Sequence, residues 1–161
     1  MDVDLRIRNA ELSDAAELAV LVSELGYRTT GTEMESRLVS ILKDLRYKTL
    51  VALEDEKICG MLGTFSASSY LHNDLNGRII ALVVSKESRR HGIGARLIAA
   101  AEKDLAQRGI TRVTVTTRFE REEAHQFHEK GRLCADWLPV CKKSRIPFRL
   151  KLPHSLIFIG Q

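Results

Sequence analysis

Proline is scarce in this chain, with three residues, and so are aromatics, at 6%. Three prolines cannot build a proline-rich linker or recognition segment. The few aromatics are not interleaved with basic residues, so no stacking surface for single-stranded nucleic acid is visible; the expectation is no nucleic-acid partner. The three cysteines, Cys59, Cys134 and Cys141, lack paired metal-ligand spacing and leave at least one thiol unpaired. That pattern predicts no metal site and points to reduced, structural thiols rather than a disulfide framework. No apolar run approaches membrane-spanning length, and the opening "MDVDLRIRNAE" is too charged for a secretory signal. The resulting expectation is a cytoplasmic protein with no membrane partner.

What is present fits a globular domain. The 161 residues are 44% hydrophobic and 29% charged, enough for one domain with a sizeable core. The formal net charge of +4 is mild. It suits an anionic small ligand, and a solvated basic surface accounts for most of it.

The order of patterns predicts β, α, α, β, β, β, α, β, α and a tail. "LRIRNAE" reads as a short edge strand. Ser13 is placed to cap a helix whose apolar residues Ala15, Leu18, Ala19, Val22 and Leu25 recur at helical spacing, with Gly26 ending it. Thr32 and Glu35 form a capping-box pattern before a helix with Met34, Leu38, Ile41, Leu42 and Leu45 on one face. "KTLVALEDEKICGMLGTF" reads as two strands around an acidic turn, with Cys59 in the strand core, and "SASSYLHNDLNG" as a polar loop. "RIIALVVS" is a continuous apolar run, predicting a central strand covered on both faces. A helix then carries Leu97, Ile98, Ala101 and Leu105 inward and closes at Gly109. "ITRVTVTT" alternates as a strand, and "EREEAHQFHEKG" reads as a short helix. There is no internal repeat, low-complexity stretch or linker. The fold class is α/β, a single domain with a mixed central sheet flanked by helices.

The segment joining the apolar strand to the third helix is "RRHGIGARL". A helix begins with backbone N–H groups that lack partners and with a partial positive charge. Closely spaced glycines let an anion reach those groups without Cβ interference. Arg89, Arg90 and Arg96 are placed to add charge-assisted contacts or to be solvated. The segment lacks the GK[ST] of a P-loop and the third glycine of a dinucleotide fingerprint.

"ALVVSKESRRHGIGARLIAAAEKDLAQRGITRVTVTT" resembles the core of the GNAT superfamily of N-acetyltransferases. In that family a strand runs into an Arg/Gln-x-x-Gly-x-Gly/Ala loop, followed by a helix and the next strand. Arg89, Gly92 and Gly94 fill the three motif positions, and the resemblance covers about residues 4 to 130. It implies acetyl-CoA as co-substrate, with the backbone around Arg90, His91, Gly92, Ile93, Gly94 and Ala95 holding the diphosphate. It also implies that the pantetheine arm lies along Leu82, Val83 and Val84 like an added strand. The implied reaction is transfer of an acetyl group to the primary amine of a small molecule, peptide or protein by direct attack. A backbone N–H of the strand before the loop then faces the thioester oxygen.

The resemblance also names a place for the acid that protonates the leaving thiolate. The family pattern A-x-x-F-Y reads "AHQFH" here, putting His128 where the family has tyrosine. Histidine can donate a proton near neutrality, though it is shorter. His125 falls elsewhere on that helix, and Arg121 replaces an asparagine that contacts pantetheine in relatives. Tyr70, His72 and Asp74 lie near the expected acceptor entrance, and residues 26–30 would wall the acceptor site. The alternative reading is a non-catalytic or weakly active acyl-CoA-binding module, favoured by His128 and by the ending. Family members often form homodimers, so a homodimer is a further expectation.

Residues 1–130 form the family-like core, and residues 131–161 do not match the family ending, which resembles "LGYxxTGxRFVK". Read one base forward, suitable codons for Arg132 to Lys142 give Gly-Tyr-Val-Arg-Thr-Gly-Tyr-Arg-Phe-Val-Lys. The expectation is therefore a frameshift near Gly131, with an out-of-frame tail behind it.

Overall fold

The computed structural model describes residues 5–71 and 73–115. Helices and strands follow the predicted order through the eighth element. The predicted helix over "EREEAHQFHEKG", the tail after it, His72 and His128 lie outside the described residues.

Strand β1 (Leu5–Asn9) is an edge strand, antiparallel to β2 (Tyr47–Glu54) from Leu5↔Glu54 to Asn9↔Leu50. A 3-10 turn over Leu12–Asp14 then leads into α1 (Ala15–Glu24). Ser13 does not cap this helix as expected. It sits inside the turn, and Asp14 organises the start because its carboxylate reaches both ways. It accepts the Glu11 N–H at 2.8 Å and two bonds from the Arg8 guanidinium at 2.8 and 2.9 Å. Gly26, at φ 88°, ends the segment.

Helix α2 (Gly31–Ile41) starts two residues earlier than the Thr32–Glu35 pattern predicted. Thr30 and Glu33 form the box: the Thr30 hydroxyl accepts the Glu33 N–H, and the Glu33 carboxylate accepts the Thr30 N–H at 2.8 Å. Thr32 is already helical and its side chain is spare for solvent. Met34 and Leu38 are buried, but Leu42 and Leu45 are exposed, because the helix stops at Ile41 and its pitch no longer aims them inward.

The β2–β3 hairpin is as predicted, with β3 (Lys57–Ser68) antiparallel to β2 and a bulge between Ala52 and Leu53. Its two turn residues, Asp55 and Glu56, both stand at positive φ, 49° and 62°, as a tight two-residue turn requires. Strand β4 (Leu75–Val84) leads to a short 3-10 turn, then α3 (Ile93–Gln107) and β5 (Arg112–Val115). The polar loop is shorter than predicted because β3 continues through Ser66 and Ser68 and β4 begins at Leu75. Ser66 is buried and its Oγ accepts from Arg108 at 2.7 Å. The five strands lie in the order β1-β2-β3-β4-β5, and β4 and β5 are parallel. Parallel pairing requires a crossover, and α3 is that crossover.

The chain forms two compact units. Within the described residues the first comprises residues 5–65 and Ala81–Asp104. In it Leu18, Ala19, Leu21, Met34 and Leu38 of the first two helices pack with Val51, Leu53, Ile58, Met61 and Val83 of the sheet. Side chains alternate across a strand, so Gly60 faces the opposite side from Met61. On that side a Cβ on Gly60 would lie 3.2 Å from Leu97 Cδ1 and 3.3 Å from Ile93 Cγ2, so α3 packs close over the bare backbone.

Within the described residues the second unit comprises Ser66–Ile80 and residues 105–115. Ile79, Leu105, Ile110, Val113 and Val115 are its buried apolar residues. A Cβ on Gly77 would meet Ile110 Cγ2 at 3.1 Å and Leu105 Cδ2 at 3.2 Å. The expectation that β4 is covered on both faces is not met here. Gly77 and Ile79 are buried, while Arg78 and Ile80 alternate to an exposed face, Ile80 at 44%.

Candidate active site

The site is built by residues 84–95. Beyond β4, Ser85 continues the sheet pairing by donating its N–H to Cys59 O at 2.8 Å. The 3-10 turn over Lys86–Ser88 follows, closed by the Ser88 N–H on Ser85 O at 3.0 Å. The buried Ser88 hydroxyl donates to Glu54 Oε2 at 3.0 Å, fixing the turn to the end of β2. Arg90 and Gly92 then adopt left-handed backbone, φ 69° and 76°. An arginine there costs about 1 kcal/mol or more of strain, whereas glycine does so freely. A methyl on Gly92 would meet no atom within 4 Å, so the turn faces open space.

Left-handed residues in a turn fold successive N–H groups inward into an anion-binding concavity. Among the described residues, no backbone carbonyl outside helices and strands accepts from the N–H groups of residues 90–95. The first such donor of the helix with a partner is Arg96, on Gly92 O at 3.1 Å. The open donors coincide with the N-terminus of a 15-residue helix, whose dipole favours an anion at the same place. His91, Ile93 and Arg96 also line a shallow hollow with Leu5 and Glu54.

The residues expected at the donor site are therefore brought together. Leu82, Val83 and Val84 end β4, and Arg89, Arg90, His91, Gly92, Ile93, Gly94 and Ala95 form the loop and first helical turn. Two arginine side chains are used differently from the expected phosphate contacts. Arg89 donates Nε–H to Val84 O at 3.2 Å and faces Glu24 at 3.8 Å, and Arg96 donates to Leu5 O at 3.1 Å. Val84 and Ser85 alternate in direction. Since the Ser85 N–H points to β3, the Val84 N–H and carbonyl point to the opposite edge.

Of the acceptor-side candidates, Tyr70 is fully exposed. Asp74 is bonded to Arg112 and Thr111. Desolvation pushes its carboxyl up, but the backbone and Arg112 bonds outweigh it and hold it below the usual range. An acid so held is a poor proton acceptor at neutral pH. Cys59 is buried, donates to Ala52 O, and its thiol is pushed up by burial, which suits the structural role expected of it. Sequence reasoning missed Glu24 and Glu54. Each reaches the loop across a long stretch of chain, and no local pattern marks such a contact. Gly60 carried a usable signal, since glycine inside a strand often marks close backbone approach.

The sequence profile of the Acetyltransferase (GNAT) family matches residues 16–132. The aminoalkylphosphonate N-acetyltransferase of Salmonella typhimurium is 26% identical over 127 residues, covering 76% of this chain and 80% of that protein. A GNAT family acetyltransferase from Staphylococcus aureus superposes with a TM-score of 0.70 at 23% identity, over 88% of this chain and 98% of its own. An aminoglycoside acetyltransferase from an uncultured soil metagenomic sample, solved in complex with sisomicin, gives 0.69 at 21% identity, over 92% and 96%. The two structural likenesses establish the fold. The chain belongs to the GNAT family of acetyltransferases. Enzymes of this family generally use acetyl-CoA as co-substrate. Among the described residues, no helix is long and apolar enough to cross a membrane.

Proposed function

We propose that this protein transfers an acetyl group from acetyl-CoA to the primary amine of a small molecule or peptide, by direct attack of the amine. The observation that carries the reading is the ring of open backbone donors over residues 90–95, shaped by Arg90 and Gly92 at the mouth of α3. Those amides fit a diphosphate in charge and in access. The outward edge of Val84, beside Leu82 and Val83, fits an extended polar arm that pairs like a strand. When bound, acetyl-CoA supplies the thioester carbonyl that the amine attacks. The Val84 N–H is the donor we assign to the developing charge on that oxygen.

His128 is the residue we assign to protonate the departing thiolate, on the family resemblance alone. A His128→Phe variant should keep CoA affinity and lose turnover by about 100-fold, the lower range for a general acid. Unchanged turnover would remove His128 from the mechanism.

Thermal stabilisation by CoA, absent with adenosine, supports donor binding. Thiol release across an amine panel then separates an enzyme from an acyl-CoA-binding module, the reading that His128 and the atypical ending favour. The panel should begin with aminoalkylphosphonates, because the Salmonella relative carries that name. It should be run on this chain and on one carrying the in-frame ending, since we propose that the frame shifts near Gly131. Sequencing the gene beside a close relative tests that proposal, and the same tail in both would refute it.

A further inference from the structure

We infer that Glu24 is a positioning residue of the donor site. This inference rests on the reading of residues 84–95 as that site. Glu24 is the last residue of α1. Its Oε2 accepts the Lys86 N–H at 3.0 Å, across 62 residues of chain, and stands 3.8 Å from Arg89 Nη2. The Glu24 side chain is only 20% exposed. Arg89 in turn donates to Val84 O at 3.2 Å. One carboxylate therefore holds the first backbone amide of the turn and faces the guanidinium that engages the last carbonyl of β4.

The arrangement has a directional consequence. With its carbonyl engaged by Arg89, Val84 is fixed in rotation about the strand axis, and its N–H is fixed with it. The two residues that follow Val84 are also held, Ser85 by Cys59 O at 2.8 Å and Lys86 by Glu24. A flexible segment here would have to be ordered by the ligand, which weakens binding; a segment ordered in advance does not carry that cost. Arg89 is thus committed to the Val84 carbonyl, as a strut, and the anion is left to the backbone amides.

Glu24 also lies immediately before residues 25–30, which join α1 to α2. The same carboxylate therefore sets the distance between that connection and the end of β4. Displacing it should move the proposed acceptor wall and the proposed donor edge apart together, so both substrates should feel the change.

Three variants test this. Glu24→Ala removes the acceptor and the charge. Glu24→Gln keeps an oxygen for the Lys86 N–H and removes only the charge, and Arg89→Ala removes the strut. Without ligand, amide exchange at Lys86 should speed by about tenfold in Glu24→Ala, the loss expected for one hydrogen bond to a charged acceptor, and recover in Glu24→Gln. The KM for acetyl-CoA should rise by about tenfold in Glu24→Ala and Arg89→Ala and by no more than about threefold in Glu24→Gln. Unchanged Lys86 exchange, or a folded Glu24→Ala protein with parental KM and kcat, would overturn the inference. So would a Glu24→Gln variant as impaired as Glu24→Ala. CoA binding by the parent chain is measured first by calorimetry. If the parent binds no CoA, the donor-site reading fails and this inference with it. If the parent binds and Glu24→Ala binds equally well, this inference alone fails.

Discussion

Gly60 and Val83 approach so closely that a Cβ on Gly60 would stand 3.2 Å from the Val83 carbonyl oxygen. The backbone oxygen cannot move aside as a flexible side chain can. Leu97 Cδ1 and Ile93 Cγ2, at 3.2 and 3.3 Å, close the same space from α3. Gly60→Ala should therefore push α3 outward and destabilise the fold by about 1–3 kcal/mol, as overpacking does. Because Ile93 opens the helix whose N–H groups form the proposed donor site, CoA affinity should fall as well. Urea unfolding and calorimetry measure the two effects, and a variant with parental stability would show that the gap tolerates a methyl.

The left-handed pair in the loop gives opposite expectations for its two members. Gly92→Ala meets no neighbour, so its cost is backbone strain alone, about 1 kcal/mol. Arg90→Gly releases about 1–2 kcal/mol of strain against roughly 0.5–1 kcal/mol of added chain entropy, so its melting temperature should equal or exceed the parent's. Thermal melts of the two variants check the contrast, which fails if Arg90→Gly melts well below the parent.

Asp14 should give the fold an acid-sensitive contribution. Its bond to the Arg8 guanidinium is the largest influence on its carboxyl and, against desolvation, holds it below the usual range. The unfolded value is about 3.9. A depressed folded value means the contribution is complete above the unfolded value and disappears as pH falls through the folded one. Asp14→Asn should cost about 2 kcal/mol at neutral pH, and the gap to the parent should narrow as pH falls below the unfolded carboxyl value. Urea titrations across that range measure it; a gap independent of pH would contradict the assignment.

The hairpin turn is open to improvement. Asp55 and Glu56 hold positive φ without being glycine or asparagine. Changing the pair to Asn-Gly should stabilise the fold by about 1 kcal/mol, because that dipeptide prefers the turn type. The exposed Arg6–Glu56 ion pair lost in the exchange contributes little. An unfolding midpoint no higher than the parent's would count against this account of the turn.

Legibility in the sequence followed the range of the forces involved. The eight described elements were readable because Ala15, Leu18 and Ala19, then Met34 and Leu38, then Leu97, Ala101 and Leu105 recur at helical spacing within their helices, and Val113 and Val115 alternate. Helix starts were not, because side chains choose among nearby donors. Asp14 displaced Ser13 by also binding Arg8, a residue on another element. The loop over residues 89–95 was readable from its glycines, but the second left-handed position fell on Arg90, a residue type that carries no such signal. The ties from Glu24 and Glu54 depend on tertiary placement and left no trace in local pattern.

The proposed function requires that backbone amides at the mouth of α3 grip the diphosphate of CoA. Amide chemical-shift mapping of the labelled protein during titration with CoA tests it most directly. The largest shifts should fall on residues 90–95, and ADP should reproduce them while adenosine does not. Saturable CoA binding that leaves those six amides unmoved would contradict it.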